Sequence, residues 1–334
     1  MNQNIIDNKT ILITGGTGSF GKSFVKYLLD NFKPKKVIVF SRDELKQSQM
    51  EDEIKDNTDR LRFFLGDVRD LQRLERAFHG VDIIIHAAAL KQVPTIEYNP
   101  FEAVKTNIIG TQNVIDAAID QNVEKAILIS TDKAAEPANL YGSTKLCAEK
   151  LFVSGNSYAG GKTKFSCVRY GNVIASRGSI VEILLKNKNA EKVYLTDERM
   201  TRFWITLQKS FALVLFALEN MTGGEIFIPK IPTMKLVDLF DCLAPNAKKE
   251  IIGVRPGEKL YESLLTKEES RHAVELDQYF VILPEHKGSP RIPQRCQHFI
   301  EIGGKLSDDF SYDSNNNKEC LSKEEFMKII KDLS

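Results

Sequence analysis

Residues 10–21 read TILITGGTGSFG, a β-branched run Thr10–Thr14 followed by Gly15, Gly16, Thr17, Gly18, Ser19, Phe20 and Gly21. The first five residues predict a strand, and the amphipathic stretch Phe20–Asn31 predicts a helix. Glycines at 15, 18 and 21 between a strand and a helix permit a tight turn, close backbone approach to a pyrophosphate and close packing of helix on sheet. The helix N-terminus adds a favourable site for negative charge. A glycine triplet alone would mean a turn; its flanks make it a dinucleotide site, with Thr17, Ser19 and Phe20 among the contacting residues.

The same alternation continues outward. Val37–Phe40, Arg62–Leu65, Ile83–His86, Ala126–Ser130 and Phe165–Tyr170 read as further strands, and Phe101–Gln121 and Leu140–Phe152 as helices. Short apolar runs alternating with amphipathic ones predict an α/β fold, a doubly wound parallel sheet. After about Gly178 the alternation loosens and prolines punctuate the chain. Residues 1–177 are therefore expected to form the dinucleotide-binding domain with the catalytic residues, and 178–334 a smaller C-terminal α/β substrate-binding region. The polar run Asp308–Asn317 lacks the acid spacing and central glycine of a calcium loop and reads as a surface turn. Ser322 with Glu325 offers a capping box for a last helix.

Composition narrows the function. With 334 residues, 42% of them hydrophobic, the chain can bury a substantial core. Its 46 basic and 45 acidic side chains leave a net charge of +1, and no dense basic run with interleaved aromatics marks a nucleic-acid surface. No stretch approaches the ~18 apolar residues of a membrane span, and the N-terminus lacks the charged-then-apolar shape of a secretory signal. A soluble cytoplasmic protein is expected, with no membrane partner. The five cysteines are widely spread, without a C-x-x-C pair, and no metal site is expected.

The chemistry concentrates in Ser130-Thr131-Asp132-Lys133 and in Tyr141 and Lys145. A tyrosine and a lysine four residues apart share one helix face, where the ammonium favours the phenolate, giving a base for hydride transfer. Asp132 and Lys133 add an acid and an amine at the end of a strand, where open parallel sheets place their ligands. Oxidation alone does not need them. At the end of the second strand, Ser41 and Arg42 suit a 2′-phosphate better than a free hydroxyl, so the cofactor expected is NADP; Asp43 and Lys46 follow in the same cofactor group. Asp67 and Val68 close the third strand, placing a carboxylate near an adenine amino group. Ala87 and Ala88 are small enough to let a cofactor lie on the sheet edge, and Lys91 reaches both cofactor and substrate. His86, a lone histidine closing a buried strand, reads as packing.

In this order the residues resemble the extended short-chain dehydrogenase/reductase family, whose sheet is Rossmann-like. The glycine pattern, Ala87–Ala89, Asn107, Tyr141 with Lys145, and Tyr170-Gly171-Asn172-Val173 carry the resemblance over nearly the whole chain. More narrowly, residues 41–46 (SRDELK), 130–134 (STDKA), 200–204 (MTRFW) and 255–259 (RPGEK) resemble the inverting UDP-N-acetylglucosamine 4,6-dehydratases that open pseudaminic acid and related surface-glycan pathways.

The resemblance implies a mechanism. Tyr141 takes the C4 hydroxyl proton as hydride leaves C4, while Lys145 holds the nicotinamide ribose and keeps Tyr141 acidic. Lys133, its pKa lowered by burial or nearby positive charge, removes the C5 proton, and Asp132 protonates the departing C6 hydroxyl; Thr131 accompanies them. The reverse assignment of Asp132 and Lys133 stays open. Hydride returns to C6, so a tightly held NADP is regenerated each turnover. The UDP-sugar is held by Lys91, Asn172, Arg177, Thr201, Arg202 and Arg255, with Glu258 on a ribose or uracil. Helix faces within Phe101–Gln121 and Leu140–Phe152 imply a homo-oligomer, a dimer or hexamer. The alternatives are a nucleotide-sugar 4-epimerase, a retaining 4,6-dehydratase and, in another class, a non-catalytic NADP-sensing regulator.

Overall fold

The computed structural model describes residues 5–56, 58–187, 190–285 and 293–332. Strand β1 (Thr10–Thr14) is wholly buried and pairs in parallel with β2 (Lys36–Ser41) on one side and β4 (Ile83–His86) on the other. β3 (Leu61–Leu65) continues outward from β2, while β5 (Lys125–Thr131) and β6 (Lys164–Tyr170) continue from β4, all parallel. The resulting order 3-2-1-4-5-6 is that of a doubly wound sheet, with the reversal of direction between β1 and β4. Every expected strand is present, within one residue at each end.

The sheet continues past residue 178. Ile226–Pro229 adds a parallel strand beside β6, and Tyr279–Ile282, Ala273–Glu275 and Gly304–Lys305 follow antiparallel, making ten strands. Helix α1 (Ser19–Asn31) lays Phe24, Val25 and Leu28 on the main core. A second core gathers Val181, Leu184, Trp204, Met234, Leu239, Phe240, Phe326 and Ile330. The last helix, Lys323–Asp332, begins at the expected capping box: Glu325 N–H donates to Ser322 Oγ at 3.1 Å, and Ser322 N–H to Glu325 Oε2 at 2.9 Å.

Two expectations need correction. Phe101–Gln121 is not one regular helix: Pro100–Ala103 and Gly110–Asp120 are α-helical, but Val104–Ile109 between them forms a wider π-turn. An extra residue in a turn turns a side chain without ending the helix, and it brings Asn107 into the interior. The run 308–317 is not simply a surface turn. Tyr312 and Ser314 are buried, and the Tyr312 hydroxyl accepts from Ile231 N–H (2.8 Å) and donates to Ile231 C=O (2.9 Å). Polar side chains there satisfy buried backbone groups, which composition alone cannot distinguish from solvation.

Candidate active site

The carboxyl ends of the parallel strands converge on one edge, and the site residues are carried there by register. Thr14 on β1 stands beside His86 on β4, and Thr131 on β5 beside Tyr170 on β6. In the β1–α1 turn, Gly15 has φ +66°, and a Cβ on it would come within 2.9 Å of the Ala88 backbone, so only glycine allows this approach. Gly18 precedes α1 without a side-chain cap. The residues fit a dinucleotide: an uncapped helix start faces small residues, Ala87 and Ala88, on the neighbouring strand end.

Other cofactor candidates have visible partners. Ser41 is buried and accepts from Gln47 Nε2 at 3.0 Å, while Arg42 is half exposed, 3.4 Å from Asp67 Oδ2. Asp67 is also held by Arg69 at 2.7 Å, and Val68 is buried against the Gly110 turn. Asp43 caps the helix Glu44–Ile54, accepting from Lys46 N–H and pairing with its ammonium, contacts that hold its carboxyl below the usual range. Phe20 packs on Phe24 and Phe211 in the core. Asn107 bridges elements, accepting from Leu90 N–H and donating to Leu90 C=O and to Thr144 Oγ1. His86 is packed as expected, between Thr14 (2.7 Å) and Thr111 (3.1 Å) and stacked on Phe152; burial pushes its pKa down to about 3.

The candidate catalytic residues gather at the end of β5 and on the helix that follows it. Thr131 opens the turn Asp132–Ala134 and donates to Asp132 Oδ1 at 2.9 Å. Lys133 Nζ lies 3.0 Å from Asp132 Oδ1 and 3.5 Å from Asn172 Oδ1. The helix Leu140–Gly155 carries Tyr141 and Lys145 and is capped by Asn139, which accepts from Gly142 N–H at 2.9 Å. A Cβ on Gly142 would overlap the Lys133 carbonyl oxygen, so glycine is what lets the helix start against this turn.

Electrostatics reverse two expectations. Burial would lower the Lys133 pKa, but the carboxylates of Asp132 and Glu262 outweigh it, and the pKa is raised. The expected lowering omitted Glu262, whose Oε1 lies 3.4 Å from Lys133 Nζ. Tyr141 is pushed up to about 12 by burial; the cation drawing it back is Lys133 rather than Lys145. Lys145 instead donates to Ile129 C=O at 2.8 Å, and burial pulls it down to about 8 against the opposing pull of Glu149.

On the substrate side, Lys91 donates to the Arg177 carbonyl at 3.2 Å, and Arg177 N–H donates to Ser19 Oγ at 3.0 Å, which ties this loop to the glycine turn. Burial lowers the Lys91 pKa. Arg255 is exposed, about 4.0 Å from Glu258. Thr201 Oγ1 pairs with Ser314 Oγ at 2.8 Å. Arg202, expected on a phosphate, is a clamp: its guanidinium donates to the carbonyls of Thr201, Lys259 and Leu260, and its Nε lies 3.7 Å from Glu262 Oε1. Glu262 escaped the sequence reading. It lies three residues past Lys259 with no motif of its own, and only the fold buries it beside Lys133.

Residues 11–284 match the family described as polysaccharide biosynthesis protein. A UDP-N-acetylglucosamine 4,6-dehydratase (inverting) of Campylobacter jejuni subsp. jejuni serotype O:23/36 (strain 81-176) is 50% identical over 333 residues, covering 98% of each chain. A UDP-glucose 4-epimerase of Rickettsia rickettsii (strain Sheila Smith) is 40% identical over 332 residues, covering 97% of this chain and 95% of that one. The X-ray structure of Pen from Bacillus thuringiensis superposes with a TM-score of 0.88 at 40% identity, covering 98% of both chains. With its doubly wound sheet, glycine turn and Tyr141–Lys145 helix, the chain belongs to the polysaccharide biosynthesis protein family.

Proposed function

We propose that this protein is a hydro-lyase that removes water from UDP-N-acetylglucosamine, inverting C5 to give a UDP-4-keto-6-deoxy-N-acetylhexosamine of L-arabino configuration for surface-glycan synthesis. The observation that carries this reading is the Asp132–Lys133 pair, in contact at 3.0 Å and acting electrostatically on Tyr141. An acid and an amine beside the oxidation base are what elimination after oxidation requires.

A bound nicotinamide would supply the hydride acceptor for C4 and the hydride donor for C6. Tyr141 takes the C4 hydroxyl proton as phenolate, with the Lys133 charge working against the burial that raises its pKa. The resulting ketone acidifies the C5 hydrogen. Transfer of one proton across the Lys133–Asp132 contact converts the ion pair into amine and carboxylic acid. Lys133 then takes the C5 proton, Asp132 gives its own to the C6 hydroxyl, and water leaves. Lys133 returns a proton to C5 as hydride reaches C6, and the proton held by Tyr141 restores the ammonium, so the balance is one water lost. Lys145 would hold the nicotinamide ribose.

NADP is the cofactor this reading favours. Arg42 stands at the end of β2, and the nearby Asp43 is engaged as a helix cap rather than free for a ribose hydroxyl. Lys91, Asn172, Arg177 and Arg255 are the candidates for the sugar diphosphate, and Glu258 for the ribose or uracil. Exposed Phe101 and Ile109 support a homo-oligomer through a face within Phe101–Gln121. Among the described residues no helix is long and apolar enough to cross a membrane, which fits a cytoplasmic enzyme. The epimerase reading draws on the 40% relatives, but an epimerase has no use for the Asp132–Lys133 pair.

Proton NMR of the protein with UDP-N-acetylglucosamine in heavy water, without added reductant, tests the reaction. A C6 methyl signal with deuterium at an inverted C5 supports it. A methyl signal with retained C5 configuration gives the retaining enzyme, and a galacto epimer without a methyl signal gives the epimerase.

A further inference from the structure

Lys133 Nζ meets a second carboxylate besides Asp132, since Glu262 Oε1 lies 3.4 Å away. Glu262 comes from a distant part of the chain, immediately before the strand Ser263–Leu265, and is only 3% exposed. Its backbone is fastened in both directions to Ser314: Glu262 N–H donates to Ser314 Oγ at 2.9 Å, and Ser314 N–H to the Glu262 carbonyl at 2.8 Å. Arg202 Nε lies 3.7 Å from the same Oε1. A buried acid introduced only for stability is normally saturated with donors, because each unpaired oxygen is costly. Here Asp132 Oδ2 and Glu262 Oε2 are both buried without a hydrogen-bond partner among the described residues. Both carboxylates that touch Lys133 thus keep one oxygen unmatched by protein.

We infer that Glu262 is a positioning residue for the elimination, holding the Lys133 amine at the site and retaining its proton until Asp132 receives it. The inference rests on the reading of Lys133 as an acid–base group. Asp132 on its own turn, Asn172 past β6 and Glu262 contact its amine, while Tyr141 from the following helix, Arg202 and Lys91 act on it through charge. Of these only Asp132 and Glu262 favour the ammonium by charge. Removing Glu262 leaves one carboxylate to oppose burial and Arg202, so Lys133 gives up its proton more readily.

The test is the pH dependence of kcat for water loss from UDP-N-acetylglucosamine by the full-length enzyme with its cofactor. Glu262→Gln is expected to lower kcat at least tenfold, to leave KM within threefold, and to move the ionisation governing kcat to lower pH by about one unit. Glu262→Asp, which draws the carboxylate back by one methylene, moves it less in the same direction and serves should the glutamine variant fail to fold. The direction of the shift is the same whether Lys133 acts first as base or as acid. A profile that stays in place in a folded variant overturns the inference, whatever happens to the rate, because a merely structural acid would change stability alone. Failure of the wild-type enzyme to form dehydrated product would instead count against the reaction itself.

Discussion

At the scale of single residues, the charge on Lys145 is the most exposed to test. Burial holds its pKa at about 8 against an ordinary 10.5, with Glu149 opposing the drop. In the cofactor-free protein Lys145 is therefore charged below pH 8 and increasingly neutral above it. If it holds an anionic cofactor as ammonium, affinity falls as pH rises through 8, by up to about tenfold per unit. Calorimetric titration of NADP+ between pH 6.5 and 9.5 checks this, and Lys145→Met should flatten the dependence. Arg42 offers a second residue-scale test. Arg42→Ala should weaken NADP+ by about 1.5–3 kcal/mol, the range of a hydrogen bond to a charged group, and barely alter NAD+. Equal losses for the two cofactors, measured by fluorescence titration, would overturn the choice of NADP. Tyr141, Lys145, Asp132 and Lys133 were legible because their chemistry is tied to short spacings. Glu262 was not, since its partner lies more than a hundred residues away.

At the scale of elements, the junction of β5, the turn Asp132–Ala134 and the helix Leu140–Gly155 determines whether the catalytic groups meet. The helix was legible from its periodicity, but its tight start was not. Asn139 caps it and also donates through Nδ2 to the Gly257 carbonyl at 2.8 Å, which ties the 255–259 loop to the catalytic turn. Lys259 reinforces this by donating to the Ala135 carbonyl at 2.8 Å. Gly142→Ala would force its methyl into the Lys133 carbonyl and push helix and turn apart. Overpacking of this kind costs about 1–3 kcal/mol, read as a fall in the urea midpoint. Activity should fall further than stability, by about a hundredfold, because an ångström of misplacement is costly at a reacting centre. The π-turn at Val104–Ile109 was not legible, because its sequence keeps a helical pattern and only the buried bonds of Asn107 distinguish it.

At the scale of the whole molecule, Arg169 joins the two halves of the chain. It is fully buried on β6 and bonded to Glu149 on the catalytic helix at 2.7 Å and to Glu269 at 2.8 Å, while donating to the Leu264 carbonyl at 3.1 Å. Arg169→Ala leaves one wholly buried and one largely buried acid without their cation. The cost should be about 3–5 kcal/mol, measured by denaturant unfolding, whereas replacing all three groups with apolar residues should cost much less. By itself the sequence determined the parallel sheet, its glycine turn and the spacing of the candidate quartet Asp132, Lys133, Tyr141 and Lys145, because each is written in local periodicity or in spacings of a few residues. The tertiary structure alone decided that Ile226–Pro229 and three antiparallel strands extend the same sheet, that Arg202 is a clamp, and that Lys133 carries a raised pKa between two acids. Those outcomes depend on burial and on charges brought together from distant segments, and neither quantity exists until the chain has folded.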